Sequence, residues 1–160
     1  MASSLTKKLF AKIAFFAPGG FTFRPWLHRA RGVQMGENVW ISQYVYIDEV
    51  HPENVIIKDN VGIGLRSTIF AHFYWGKYKP GKRVGKVVIE KNVYIGAHCV
   101  ILHDVTIGEG SVIAAGSVIN KNVPPGVLYG PPSASPLARV TRPLIKGVSH
   151  KEFLSGLRKL

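Results

Sequence analysis

Among the six histidines of this 160-residue sequence, two stand where an imidazole could serve as a proton acceptor near neutral pH. His72 lies at the head of FAHFYWGKYKPGKRVGK, a segment rich in aromatics and cations, and His103 is followed directly by Asp104. Two further carboxylates, Asp48 and Glu49, fall together in YIDEVHPEN, where one could orient an imidazole or accept a hydroxyl hydrogen bond. His98 and His103, five residues apart, could hold a metal if His72 supplied a third ligand, because zinc chemistry needs three protein ligands and an open position. Near the C-terminus Arg139 and Arg142 have the planar fork that suits phosphate. Each has a plainer reading. A lone histidine is ordinarily satisfied within the structure, a carboxylate beside a turn ordinarily stabilises it, and surface cations are ordinarily solvated.

Positioning such groups requires a scaffold, and the scaffold is written as a repeat. Ile89, Ile95, Ile101, Ile107, Ile113 and Ile119 recur every six residues. Val93, Cys99, Val105, Ser111 and Ser117 stand four places after the first five of them. The register also runs through Met35, Ile41 and Ile47, and again through Ile57, Ile63 and Ile69. A period of six fits neither a helix nor a simple hairpin alternation. It fits short strands joined by tight turns, each strand sending one aliphatic side chain to a common axis. Gly96 and Gly108 follow their isoleucines, and positive φ at the turns is the expected reason for them. The gap between Ile47 and Ile57 predicts an outward bulge at HPEN, and the period fails altogether between Ile69 and Val87. An insertion into a solenoid maps to an exposed loop, often on the binding side, which puts Tyr74 and Trp75 forward as acceptor contacts. Packing of those aromatics on a neighbouring subunit accounts for them equally well.

Over residues 33–145 these motifs resemble the hexapeptide-repeat acyltransferases. The resemblance implies an all-β core, a left-handed parallel β-helix with three hexads per coil, assembled as a homotrimer with active sites between subunits. An N-terminal helical cap would occupy residues 1–32, the β-helix 33–123 with its protruding loop at about 71–86, and an exit segment with a short helical piece 124–160. Similarity to the maltose- and galactoside-type enzymes implies an acetyl-CoA-dependent O-acetyltransferase in which His72 is the base and Asp48 or Glu49 assists at the acceptor. The stretch IGAHCVILHDVTIGEGSVIAAGSVINKNVPPG is similar to the family's final coils. By that likeness the backbone at Ala97 and Ala115 meets the pantetheine arm, and Asn120 and Lys121 lie near the nucleotide end. Ala97 and Asn120 replace hydroxyl residues of the sugar enzymes, so any side-chain hydrogen bond there is lost. GPPSASPLARVTRPL looks like the exit motif of polysaccharide-modifying members, and Arg139 and Arg142 match residues that meet the adenosine phosphates. His103–Asp104 imitates the His-acid pair of the sialic-acid and amino-sugar enzymes and is the second candidate base. The His98/His103 spacing resembles the γ-type carbonic anhydrases, but one place out of phase. A non-catalytic repeat scaffold is the third class, and the aromatic, histidine-bearing break in the period argues against it.

Composition narrows the rest. A net charge of +12 calls for an anionic partner, and no nucleic-acid motif accompanies it, so a nucleotide cofactor or a membrane surface fits better. One cysteine, Cys99, excludes an intrachain disulfide framework and fits a reducing cytoplasm. Leu5, Leu9, Ile13 and Phe16 repeat at helical spacing with Lys8 and Lys12 elsewhere on the turn, and Pro18-Gly19-Gly20 stops the helix. The expected element is an amphipathic helix that caps the core or touches the inner face of a membrane, which would suit a small-molecule or lipid-linked saccharide acceptor. The proposed chemistry requires no metal.

Overall fold

In a computed structural model the described residues are 4–72, 85–131, 138–142 and 149–159. Four successive coils, each of three short strands, stack along one axis. The first holds β1 (Gln34–Met35), β2 (Trp40–Ile41) and β3 (Tyr46–Ile47). The second holds β4 (Val55–Ile57), β5 (Gly62–Ile63) and β6 (Thr68–Ile69), and the third β7 (Val87–Ile89), β8 (Tyr94–Ile95) and β9 (Val100–Ile101). The fourth holds β10 (Val105–Ile107), β11 (Val112–Ile113) and β12 (Val118–Ile119), and β13 (Leu128–Tyr129) begins a further turn. All strands of the coils pair in parallel, as β1-β4-β7-β10, β2-β5-β8-β11-β13 and β3-β6-β9-β12. The result is a three-sided prism. Isoleucine stacks on isoleucine along each side, as in Ile47↔Ile69↔Ile101↔Ile119, and these side chains are buried. The valine, serine and cysteine positions of the hexad fill the corners of the same core.

The corners carry the backbone strain. Positive φ falls on Asn38, Asn60 and Asn92 at one edge, on Tyr44, Arg66 and His98 at the next, and on Asp104 at the third. Asparagine tolerates this conformation best, and Asn38 donates to Asn60, and Asn60 to Asn92, at 2.9 and 3.1 Å. Gly96 and Gly108 do not have positive φ, contrary to expectation. Their reason is close approach: a Cβ on Gly96 would lie 2.5 Å from the backbone nitrogen of Ala115 in the next coil.

The N-terminal cap corrects the sequence reading twice. Helix α1 (Ser4–Phe16) exists, but Leu5, Leu9, Ile13 and Phe16 face outward, at 78%, 53%, 40% and 68% exposure. Its packed face is Phe10, Ala14 and Ala17, set against Leu27. A second helix, α2 (Phe23–Ala30), was not expected. It and the residue after it deliver arginines to the open end of the first coil, where strand carbonyls lack a further strand to pair with. Arg29 donates to the carbonyls of Met35 and Gly36, Arg24 to Ile41 (2.7 Å), and Arg31 to Ile47 (2.6 Å) and Asp48 (2.7 Å). Three of the chain's cations are therefore a lid on an unpaired strand end rather than a surface for an anion. Late in the chain β14 (Ala138–Val140) and β15 (Leu157–Lys159), with α3 (His150–Ser155) between them in sequence, form an antiparallel ribbon. Among the described residues no helix is long and apolar enough to cross a membrane.

Candidate active site

Both interruptions of the period leave the prism at one edge, the corner after β3 and the corner after β6, one coil apart. That coincidence builds the site. Asp48 is the first residue past β3, and its carboxylate is fully buried. One oxygen accepts from the backbone N–H groups of Val50 and His51, both at 2.9 Å, which turns the chain into the bulge around the 3₁₀ turn Pro52–Asn54. The other accepts from the N–H of Ala71 at 2.7 Å and from Nδ1 of His72 at 2.5 Å. Burial would raise the pKa of Asp48, but the donors from His51, His72 and Ala71 outweigh it and hold the carboxyl below its usual range. An ionised Asp48 accepts only, so Nδ1 of His72 carries its proton and Nε2 is the basic nitrogen. The imidazole is largely buried, with 11% of its side chain exposed, and the ring of His51 meets it edge-on at 5.9 Å.

Behind this pair stands Arg31, a residue that sequence reasoning did not single out. Its side chain is fully buried, and its bonds to the carbonyls of Ile47 and Asp48 fix the strand end from which the carboxylate springs. Burial lowers its pKa to about 10, and Tyr46, Asp48 and Glu49 act against that fall, so it is cationic at neutral pH. Its Nε donates to Nδ1 of His28 at 3.0 Å. Burial first, then Arg31 and Arg24, keep His28 well below the usual imidazole range, so it is neutral. The signal that could have found them is the density of arginine and histidine in FRPWLHRAR just before the first coil.

Since the folded-state pKa of Asp48 is depressed, the ionised carboxylate stabilises the fold above its unfolded value, about 3.9, and that contribution is lost as pH falls through the folded pKa. Urea midpoints recorded from pH 6 downward should therefore fall more steeply in wild type than in Asp48→Asn. Parallel curves would show that the carboxylate does not titrate as described.

The other predicted residues distribute over two edges. Along the edge of Asp48 and His72 follow His103–Asp104 and then Asn120 and Lys121, in register with Ile101 and Ile119. Asp104 is half exposed and its carboxylate lies 3.6 Å from Nδ1 of His103, beyond hydrogen-bond distance. Glu49 lines an outer groove with Tyr46 and Phe70. Ala97 and Ala115 occupy the next edge, where the N–H of Gly116 donates to the carbonyl of Ala97 at 2.9 Å. His98 also projects there, so the chain puts His98 and His103 on different edges. Among the described residues no group of three His, Cys, Asp or Glu side chains is gathered for a metal. Arg139 sits opposite Arg158 on the ribbon, a facing pair of cations that an anion would relieve, and Arg142 is exposed nearby. Arg158 was not among the sequence candidates. Tyr74 and Trp75 lie outside the described residues.

A three-sided prism of parallel hexad strands is the architecture of the left-handed β-helix proteins. The chain is similar to the hexapeptide-repeat acetyltransferases. Residues 86–121 match the family model "Bacterial transferase hexapeptide (six repeats)". YvoF of Bacillus subtilis (strain 168), a candidate acetyltransferase, is 37% identical over 107 residues, 66% of this chain and 60% of that protein. Galactoside O-acetyltransferase of Escherichia coli (strain K12) is 32% identical over 130 residues, 78% of this chain and 62% of that protein. The chain thus spans under two thirds of these relatives. Among solved structures, a Vibrio cholerae hexapeptide-repeat acetyltransferase complexed with acetyl coenzyme A shares the fold, with a TM-score of 0.65, 24% identity and coverage of 89% and 87% of the two chains. A galactoside acetyltransferase in complex with coenzyme A superposes with a TM-score of 0.52 at 26% identity, covering 78% of this chain and 74% of that one.

Proposed function

We propose that this protein transfers the acetyl group of acetyl-CoA to a hydroxyl of a saccharide or glycan precursor, with His72 as general base. The observation that carries the reading is the buried Asp48 carboxylate bonded to Nδ1 of His72. A neutral alcohol is a poor nucleophile. Nε2 of His72 takes its proton as the alcohol oxygen attacks the thioester carbonyl, and Asp48 stabilises the imidazolium that forms. Collapse of the tetrahedral intermediate breaks the carbon–sulfur bond, and the departing thiolate takes the proton from His72, leaving an acetyl ester and free coenzyme A. His72 is preferred to His103 because Asp104 is half exposed and too distant to orient its imidazole.

The donor fits the next edge. Ala97 and Ala115 carry nothing beyond Cβ, so a pantetheine arm can reach their backbone, and exposed Arg139 and Arg142, with Lys121 from the His72 edge of a neighbouring copy, are suited to its phosphates. Within one chain Ala97 and Ala115 lie on a different edge from His72. A homotrimer that sets the His72 edge of one copy against the Ala97 edge of the next would complete the site, and a cytoplasmic setting would supply acetyl-CoA. An Asp–His dyad with a defined tautomer also favours an enzyme over a passive scaffold.

Calorimetric titration with acetyl-CoA, alongside mass in solution, tests the reading. One site per chain in a trimer is expected, followed by ester formation in a screen of saccharide acceptors. No binding up to millimolar acetyl-CoA would overturn it.

A further inference from the structure

The outer face of the β3-β6 side is not flat. Phe15 and Phe16 at the end of α1 stand over it, and the backbone of Tyr44 is tied to α1 by its N–H donating to the carbonyl of Phe15 at 2.9 Å. Between helix and sheet runs a groove of about 750 Å³ lined by Phe15, Phe16, Tyr44, Tyr46, Thr68 and Phe70, with Glu49 and Arg66 at its margins. A second hollow of about 380 Å³ continues it along α1 past Ala11 and Lys12, and Phe15, Phe16, Tyr46 and Glu49 belong to both. Volumes of this order are those of small-ligand sites, roughly 300–1,000 Å³.

Three features choose the occupant. The walls are largely aromatic, with Tyr46 against Phe70 at 5.6 Å and Phe16 against Tyr44 at 5.8 Å, so the long part of a ligand must be apolar. Two cations border this space, Arg66, stacked over Tyr44, in the groove and Lys12 in its continuation along α1. The inner end, at Glu49 and Phe70, is one residue from Asp48 and two from His72. Resting on the function proposed above, we infer that the acceptor is an anionic amphiphile: an apolar chain lies in this groove, a phosphate meets Arg66 or Lys12, and the hydroxyl-bearing head reaches the Asp48–His72 corner.

Octyl, decyl and dodecyl phosphate, each held below its micelle-forming concentration, are the probes, with inorganic phosphate as the headgroup control. Affinity should rise about threefold to fourfold for each CH₂ buried, and inorganic phosphate alone should bind far more weakly. Thr68→Trp, which fills the groove from the middle of its floor, and Phe16→Asp, at its rim, should each reduce dodecyl phosphate affinity at least tenfold while acetyl-CoA affinity stays unchanged. Two variants from different walls keep the test open should one fail to fold. Affinity independent of chain length, or untouched by both variants, would overturn the inference. So would a loss of oligomeric state in both variants, which would make the groove an interface between copies. Alkyl phosphate binding without acetyl-CoA binding would preserve the groove as an amphiphile site and sink the transferase reading instead. Acetyl-CoA binding without any alkyl phosphate binding would do the reverse.

Discussion

Replacing His72 with alanine is expected to slow acetyl transfer by about 10²–10⁴-fold, the usual worth of a positioned general base, while the dissociation constant for acetyl-CoA stays close to wild type. The split follows from geometry. His72 hangs from the corner after β6, bonded to a carboxylate that is itself fully enclosed. The donor path is assigned to the edge of Ala97 and Ala115, a different edge of the same chain from that of His72. Release of the coenzyme A thiol, followed with an acceptor from the saccharide screen, provides the rate, and calorimetry provides the affinity. His103→Ala, tested in parallel, should leave the rate nearly unchanged. If His103→Ala abolishes transfer and His72→Ala does not, the base has been misassigned. Equal weakening of acetyl-CoA binding and rate in His72→Ala would mean that the residue binds the donor rather than taking a proton.

Arg31→Met should cost about 3–5 kcal/mol of folding stability, the scale of breaking a buried, hydrogen-bonded charge. The substitution keeps the apolar stem and deletes the donors to the carbonyls of Ile47 and Asp48 and to Nδ1 of His28. Each buried acceptor left without a donor costs about 1–3 kcal/mol. Domains of this kind are stable by only about 5–15 kcal/mol, so the urea midpoint should fall visibly. Arg31→Lys, which can still reach a carbonyl, should recover part of the loss. Arg142→Met, at an exposed position, should stay within about 0.5 kcal/mol of wild type. A midpoint for Arg31→Met indistinguishable from that of Arg142→Met would show that the lid over the first coil contributes little.

The prism was legible from the isoleucines alone, because a side chain that must point at a common axis once per strand leaves a period of six in the sequence. The break at residue 70 was equally legible, since residues freed from the axis lose the period. His72 and Asp48 could each be named for the same reason: both stand where the chain leaves the coil. Their union could not be read from spacing. It depends on two insertions emerging at the same corner of successive coils, and that register is decided by strand pairing between Ile47 and Ile69. The orientation of α1 was also hidden, since Leu5, Leu9, Ile13 and Phe16 form as good an apolar stripe as Phe10, Ala14 and Ala17. Only docking against Leu27 decides which face is covered. Arg31 shows the same limit most clearly: a cation reads as a surface residue until the unpaired carbonyls of the first coil are seen to need it. Local patterning thus determined the scaffold and where it is interrupted, because periodicity is a property of neighbours in sequence. Contacts between coils and cap decided which residues form the site, because those contacts join residues 16 to 24 positions apart.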